Sequence, residues 1–460
     1  IEGSGLHFVP SHGSPFREWK SLKNRVHIDF LSPEEMKRSE WEEFQVYRKT
    51  FAVIGVVHCP SNPDIKEVRR SFEEVKRNHL FSTALRFRCF AFEPLSSKEE
   101  DSFQDMVLFP HQGPSHTQFY ITTILSDVVS MLLKDFEDLC SRALKSKEFA
   151  LLTPADKANP LSNIMQNKKA FHGRKFKRVA DFCLLAGSPS DARRYYKEGL
   201  EASKQAHDWI WVGGCLEGLA VCSYMDQGEI KCRKQAASQM SDALSNYDKS
   251  ESLASVLRFS AAMKLGRACV KWGSDEEKYL QKGRDVIRKN ISLATSASAQ
   301  DQISIVLEGA SVLIKLKFAR SAASQMLQAS LLCLELQETL KSHQLLKIVA
   351  PLYKMALKDC AQVSRIDSKK SIIDEKIDVK DEKKVDKESI DPYRAFRGFA
   401  NIVSQLREKG ISDLNWIELH VAILGSIVEI PGYSQKTNAN DTALLGMCYG
   451  YLLGNCSPYF

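Results

Sequence analysis

Hydrophobic positions repeat with two different periods along this chain, and the change comes near residue 150. In "RVHIDF" (25–30) apolar residues alternate, which predicts a strand with Val26, Ile28 and Phe30 on one face. "FAVIGVV" (51–57) is a continuous apolar and β-branched run, as expected of a strand buried on both faces. "ALRFRCFAF" (84–92) predicts a third strand with Arg86 and Arg88 on one side, and "MVLF" (106–109) a short fourth. Between the second and third, Ile65, Val68, Phe72 and Val75 follow helical spacing over 64–78, after the start signal Asn62-Pro63-Asp64. Strand, helix, strand is a crossover unit, so a partly parallel sheet is expected. Residues 117–149 read as one long helix with Ile121, Ile124, Val128, Met131 and Leu132 towards the sheet.

Beyond Phe149 the strand signals stop. "TPADKANPLSN" (153–163) reads as a loop, and from about 165 to 360 the chain is a succession of amphipathic helices. Small residues recur in a definite register. From Ala180 to Ala192 is 12 residues, from Ala192 to Gly199 is seven, and Ala180 plus 34 falls on Gly214. These are the spacings of a 34-residue helix–turn–helix repeat, in which small residues let neighbouring helices approach. Later segments, such as 312–337, keep the helix–turn–helix form and lose the strict period. The whole predicts an α+β chain: a mixed α/β sheet domain over 24–150, then a TPR-like α-solenoid over 151–363. Residues 1–23 are expected to be a disordered or fragment leader.

In 364–391, 28 residues without an aromatic or a glycine, eight are basic and nine acidic. Such a segment cannot bury a core and is expected to be a charged linker; a phospho-regulated docking tail is the alternative. Helical patterns resume over 392–460 as a continuation of the solenoid, with Gly446, Gly450 and Gly454 on a stripe too short for a membrane span.

The 460 residues carry a net charge of +7 from 64 basic and 57 acidic side chains, a mild excess that does not mark a nucleic-acid binder. Twelve cysteines contain no Cys-x-x-Cys, and Cys183, Cys215, Cys222, Cys269, Cys333 and Cys448 sit in apolar segments. That pattern fits buried thiols in a reducing cytosol better than a disulfide framework. Residue 1 is Ile and residues 1–20 lack the apolar core of a signal peptide, so a fragment of a cytoplasmic protein is expected.

The stretch "HDWIWVGGCLEGLA" (207–220) poses the chemical question. A phosphate loop needs a strand, a Gly-rich turn and a helix start, with Lys and Ser or Thr following for a nucleoside triphosphate. Here a helical segment precedes Gly213 and no such pair follows Gly218, so the glycines belong on a helix as packing positions. Trp209 and Trp211 then read as wedges between repeats, with a stacking platform for a base as the weaker reading. No catalytic set is recognisable. His7 with His12, and His111 with His116, lack further ligands; His58 and Cys59 should point to opposite sheet faces; Glu42 and Glu43 suit a helical cap beside the sheet. Catalytic, cofactor-binding and metal residues are therefore expected to be none, and cofactors none. Arg69, Arg70, Arg174, Lys175, Lys177 and Arg178 are candidate exposed basic groups for an acidic partner or an anionic membrane surface, or solvated helix ends.

Two long stretches carry a family resemblance. "EWEEFQVYRKTFAVIGVVHC" (40–59) with "FEEVKRNHLFSTALRFRCFAF" (72–92), and more closely "VADFCLLAGSPSDARRYYKEGLEASKQAHDWIWVGGCLEGLA" (179–220), resemble the N-terminal half of the large TRAPP II-specific subunits, also called NIK- and IKK-beta-binding proteins. The family pattern falls on Asp181, Cys183, Leu184, Ala186, Gly187, Asp191, Ala192, Asp208, Trp211, Glu217, Gly218 and Leu219, with Ala180 in place of a common Gly and His207 in place of Asn. The family's members are longer and end in β-sandwich modules not found here. The resemblance implies a non-catalytic scaffold of a vesicle-tethering complex at the Golgi. It implies small TRAPP core subunits and other TRAPP II subunits as partners, a Rab GTPase engaged through the complex, peripheral membrane association and no nucleic acid. A signalling adaptor of a kinase (NF-kappa-B) pathway is the alternative, and an enzyme with an unusual α/β site a third.

Overall fold

A computed structural model describes residues 8–19, 28, 30–32, 40–60, 65–78, 81–93, 105–109, 113–146, 151–158, 168–225, 230–250, 254–291, 299–336, 345 and 348. The predicted strand at 25–30 lies largely outside these residues, and the predicted linker and C-terminal helices lie wholly outside them.

The described sheet has three strands, β1 (Ala52–His58), β2 (Arg86–Phe92) and β3 (Met106–Phe109), in that order and all parallel. Ala52 pairs with Arg86 and His58 with Phe92; Cys89 pairs with Met106 and Phe92 with Phe109. Helix α1 (Ile65–Arg77) makes the crossover. Its Val68 and Phe72 cover Cys59, Cys89, Ala91 and Met106 on one face. Gly55 lies under the Phe72 ring, where a Cβ would meet Cδ2 at 3.1 Å. Helix α2 (Pro114–Lys145) lies on the other face. Arg86 and Arg88 share that face, as their spacing predicts. Arg86 donates Nε and Nη2 to Asp135 at 2.7 and 2.6 Å, and Arg88 reaches Asp105 at 2.9 Å and the Met131 sulfur at 3.6 Å.

The 153–163 loop contains a helix where the sequence suggested none. Helix α3 (Pro154–Ala158) is short and capped reciprocally: Thr153 gives its N–H and hydroxyl to Asp156, and the Asp156 N–H returns to the Thr153 hydroxyl. From there the chain is helical: α4 (Lys168–Leu185), α5 (Pro189–Gln205), α6 (Trp209–Met225), α7 (Ile230–Asp248), α8 (Ser255–Trp272), α9 (Lys278–Ile291), α10 (Ala299–Lys315) and α11 (Ala319–Glu335). Sequential neighbours pack on one another from α4 to α7 and again from α9 to α11.

Two compact units divide the chain, Ile1–Ala261 and Ala262–Phe460, so the boundary expected near residue 150 falls inside the first. The reason is a shared core. Val129, Leu133, Phe136 and Cys140 of α2 meet Val179, Phe182 and Cys183 of α4, and Phe51 stacks edge-on against Phe136 at 4.9 Å. Residues 8–19 join the same core and are no disordered leader: Phe8, Phe16 and Trp19 are buried and pack on each other edge to face. In the second unit Gly309 of α10 receives Ile291 of α9, and Ile287, Leu313 and Leu316 are fully buried.

The glycines of the opening stretch lie on α6, as the helical reading predicts. Each is a socket for a different ring. A Cβ on Gly213 would sit 2.6 Å from Tyr247 of α7, on Gly214 2.6 Å from Phe44, and on Gly218 2.2 Å from Tyr196 of α5. Helix α6 is consequently buried on almost every side.

Candidate functional site

The densest polar chemistry among the described residues is built on α4. Arg174, Lys177, Arg178 and Asp181 follow i, i+3, i+4 and i+7 spacing, so they share one helix face. The expectation of exposed basic groups fails for three of the six. Arg174, Lys177 and Arg178 are 3%, 5% and 9% exposed. They share α4 with Ala170, Gly173 and Ala180, whose small side chains bring neighbouring elements close enough to cover long stems. Lys175 is half-buried against the Leu144 carbonyl, and only Arg69 and Arg70 of α1 lie open at the surface.

Arg174 ties three segments together. Its Nε donates to Asp208 at 2.8 Å, Nη1 to the Leu151 carbonyl at 2.8 Å and Asp156 at 2.9 Å, and Nη2 to Asp156 at 3.0 Å. Its guanidinium also lies over the Trp211 ring at 5.2 Å. Lys177 donates to the Phe44 carbonyl and, at 2.8 Å, to Asp181, with its ammonium 4.2 Å from the Phe44 ring centroid. Arg178 Nη1 holds the Glu43 carbonyl at 2.8 Å and its carboxylate at 3.0 Å. Tyr196 donates to Asp181 and Tyr247 to Glu217, both at 2.8 Å. The 40–49 segment, with its short 3-10 helix Val46–Arg48, is thereby seated on α4 and α6.

The electrostatics are those of a packed interior. Desolvation pushes Asp208 up to about 6, against the pull of Arg174. Asp181 is raised by the same burial, opposed by Lys177 and Tyr196. Burial works to lower Arg174, but Asp208 and Asp156 together hold it above its ordinary value. Glu43 goes the other way: burial would raise it, yet the Lys49 hydrogen bond and the charge of Arg178 outweigh that and lower it. Desolvation raises the thiols of Cys140, Cys183 and Cys215, and Cys269 to about 12. A buried thiol far above its ordinary value is not a nucleophile.

The remaining candidates do not assemble. Cys59 is buried on the α1 face while His58 is exposed on the opposite face, 3.9 Å from Glu93, as the strand geometry predicts. His12 and His116 are exposed, and His7 and His111 lie outside the described residues. Among the described residues no group of three or more His, Cys, Asp or Glu side chains is placed to hold a metal ion. No described helix is long and apolar enough to cross a membrane. Trp211 is a buried wedge, as read; Trp209 is half-buried beneath the Lys249 ammonium at 4.3 Å. Sequence reasoning missed the partners Asp156, Tyr196 and Tyr247. One signal was available in the spacing: Arg174 and Asp208 are 34 residues apart, the period read from the small residues, with Arg174 inside α4 and Asp208 in the turn before α6.

Every charge on the inward face of α4 thus meets a partner, and the arrangement fixes segments to one another. The model of the Trs120/TRAPPC9 N-terminal domain matches residues 20–168 and 155–227. Over residues 20–227 the chain is therefore similar to the Trs120/TRAPPC9 N-terminal domain. The TRAPP II-specific subunit 120 homologue of Arabidopsis thaliana is 32% identical over 309 residues, covering 62% of this chain and 25% of the plant protein. The human trafficking protein particle complex subunit 9 is 26% identical over 191 residues, 41% of this chain and 17% of its own. The fission-yeast transport protein particle subunit trs120 is 20% identical over 231 residues, 43% of this chain and 19% of its own. The matched part is thus a quarter or less of these relatives' length. A circular tandem repeat protein matches 70% of the chain at TM-score 0.33 and 11% identity, too distant to define the fold. In the matched stretch, five residues of the sequence pattern quoted above, Asp181, Asp208, Trp211, Glu217 and Gly218, lie in the buried network.

Proposed function

We propose that this chain is a non-catalytic scaffold subunit of a TRAPP II vesicle-tethering complex. It joins a small parallel sheet and its helices to a TPR-like α-solenoid and offers helix faces to neighbouring subunits. The observation that carries the reading is the family match over 20–227 together with the inward turn of its charged chemistry. The relatives are named as subunits of trafficking particle complexes. Small TRAPP core subunits and other TRAPP II subunits are the proposed partners. Rab nucleotide exchange is the activity the complex supports, without a catalytic residue from this chain. Its proposed place is the cytoplasm and, through the complex, the Golgi periphery.

Affinity purification of the tagged chain at native level, with and without residues 1–160, tests this. Stoichiometric TRAPP core subunits with the full chain support the scaffold. Loss on truncation places the contact on the N-terminal part. Recovery of kinase-pathway components without any TRAPP subunit would replace the scaffold with the signalling adaptor.

A further inference from the structure

The N-terminal strap is recognised the way a bound peptide is. Residues 8–19 cross α2 and the α4–α5 turn, held by three aromatic anchors and a set of directed hydrogen bonds. Phe8, Phe16 and Trp19 enter a core of Leu133, Phe136, Cys183 and Tyr195. Ser11 gives both its N–H, at 2.8 Å, and its hydroxyl, at 2.7 Å, to Glu137 Oε1. The Glu18 N–H donates to Asp191 at 2.8 Å, the Trp19 indole N–H to the Ala186 carbonyl at 2.8 Å, and Arg194 to the Pro15 carbonyl at 3.3 Å. A turn at Ser11–Ser14, with Gly13 at φ +80°, lets Ser11 and Phe16 face the same floor.

Glu137 makes the argument sharper. It is 6% exposed, and among the described residues Ser11 is its hydrogen-bond partner. Asp191 has Ser188 and Arg194 besides the strap, so it stays satisfied without it. Glu137 does not, and a buried carboxylate without a donor is costly. The floor of α2, α4 and α5 is therefore complementary to an occupant with paired donors three residues beyond Phe8's place and aromatic side chains eight and eleven residues beyond it. We propose that this floor is a peptide-binding groove and that residues 8–19 are its own intramolecular ligand, able to leave and return as a unit.

The test keeps the whole chain. A protease site is introduced within residues 21–26, the folded protein is cut, and a fluorescent peptide of residues 1–19 is added. Exchange of the cut segment for the labelled peptide, saturable and followed by anisotropy, is the expected result. The uncut chain should take up no peptide. Glu137→Gln in the chain, or Ser11→Ala or Trp19→Ala in the peptide, should each weaken uptake about tenfold or more, the loss expected for a hydrogen bond to a charged group or a buried aromatic anchor. Collapse of the helical signal on cutting would overturn the proposal, because the strap would then be an inseparable part of the core. A folded cut chain that takes up no peptide, or takes it up equally with Trp19→Ala, would overturn it as well.

Discussion

His207 and Lys317 sit at φ +55° and +67°, a backbone region that costs a side-chain-bearing residue about 1–2 kcal/mol. Gly187 occupies the equivalent turn after α4, and the hydrogen bonds match: Ser188 N–H to Cys183, Asp208 N–H to Ser203 and Phe318 N–H to Leu313. Lys317→Gly should therefore stabilise the protein by roughly 0.5–1 kcal/mol net of the glycine's extra freedom when unfolded, and Gly187→Ala should destabilise it by about 1 kcal/mol. Urea unfolding of the two variants reads both. The two carboxylates flanking α4 should respond to pH with opposite sign. Asp208 binds its proton more tightly folded than unfolded, so its contribution is full below about 3.8 and is lost as pH rises through about 6. Glu43 is lowered, so its contribution is present above 4.5 and is lost as pH falls through its folded value. Relative to Asp208→Asn, the native chain should lose stability between about pH 3.8 and 6. Relative to Glu43→Gln, it should lose stability on acidification below 4.5.

At the scale of the element, α6 shows what a pattern of small residues can say and what it cannot. The spacing of Gly213, Gly214 and Gly218 identified a packed helix and excluded a phosphate loop. It did not show that three rings from three directions fill the sockets, because that depends on segments far away in sequence. Gly218→Ala should gain about 1 kcal/mol in helix propensity and lose more by displacing Tyr196 from Asp181, about 1–3 kcal/mol for the overpacking alone. A lowered unfolding midpoint, with α5 rather than α6 losing amide protection first, is the expected observation. Helix α4 was harder to read. Three long basic side chains at helical spacing describe a solvated face just as well as a buried one, and only the acids that meet them decide. Glu43 lies 135 residues from Arg178, a separation over which a local pattern carries no information. The parallel sheet was legible because hydrophobic runs joined by a crossover helix leave few alternatives.

The whole molecule inherits its division from these contacts. The core formed by α2, α4 and the strap crosses the change of sequence period near residue 150, so a shift in hydrophobic pattern marked where the type of element changes and not where a compact unit ends. The first unit runs to Ala261. This bears on surface chemistry. Removing the charges of Arg174, Lys177 and Arg178 together should lower the unfolding temperature strongly and leave vesicle binding unaltered. Flotation with vesicles containing anionic lipid, at two salt concentrations, checks the second half. A salt-dependent loss of vesicle binding in that variant would return these residues to the surface.

The 34-residue separation of Arg174 and Asp208 has a consequence for how such a chain can be lengthened or shortened. The two halves of one buried ion pair lie in successive units, and Arg174 also grips the segment before α4. A unit excised between them would leave a guanidinium without its second acid, and a unit inserted there would part them. None of the ion pairs described above spans the joint after Asp208. Grafts and deletions that respect that joint should be accepted, whereas those that cut between the partners should be rejected.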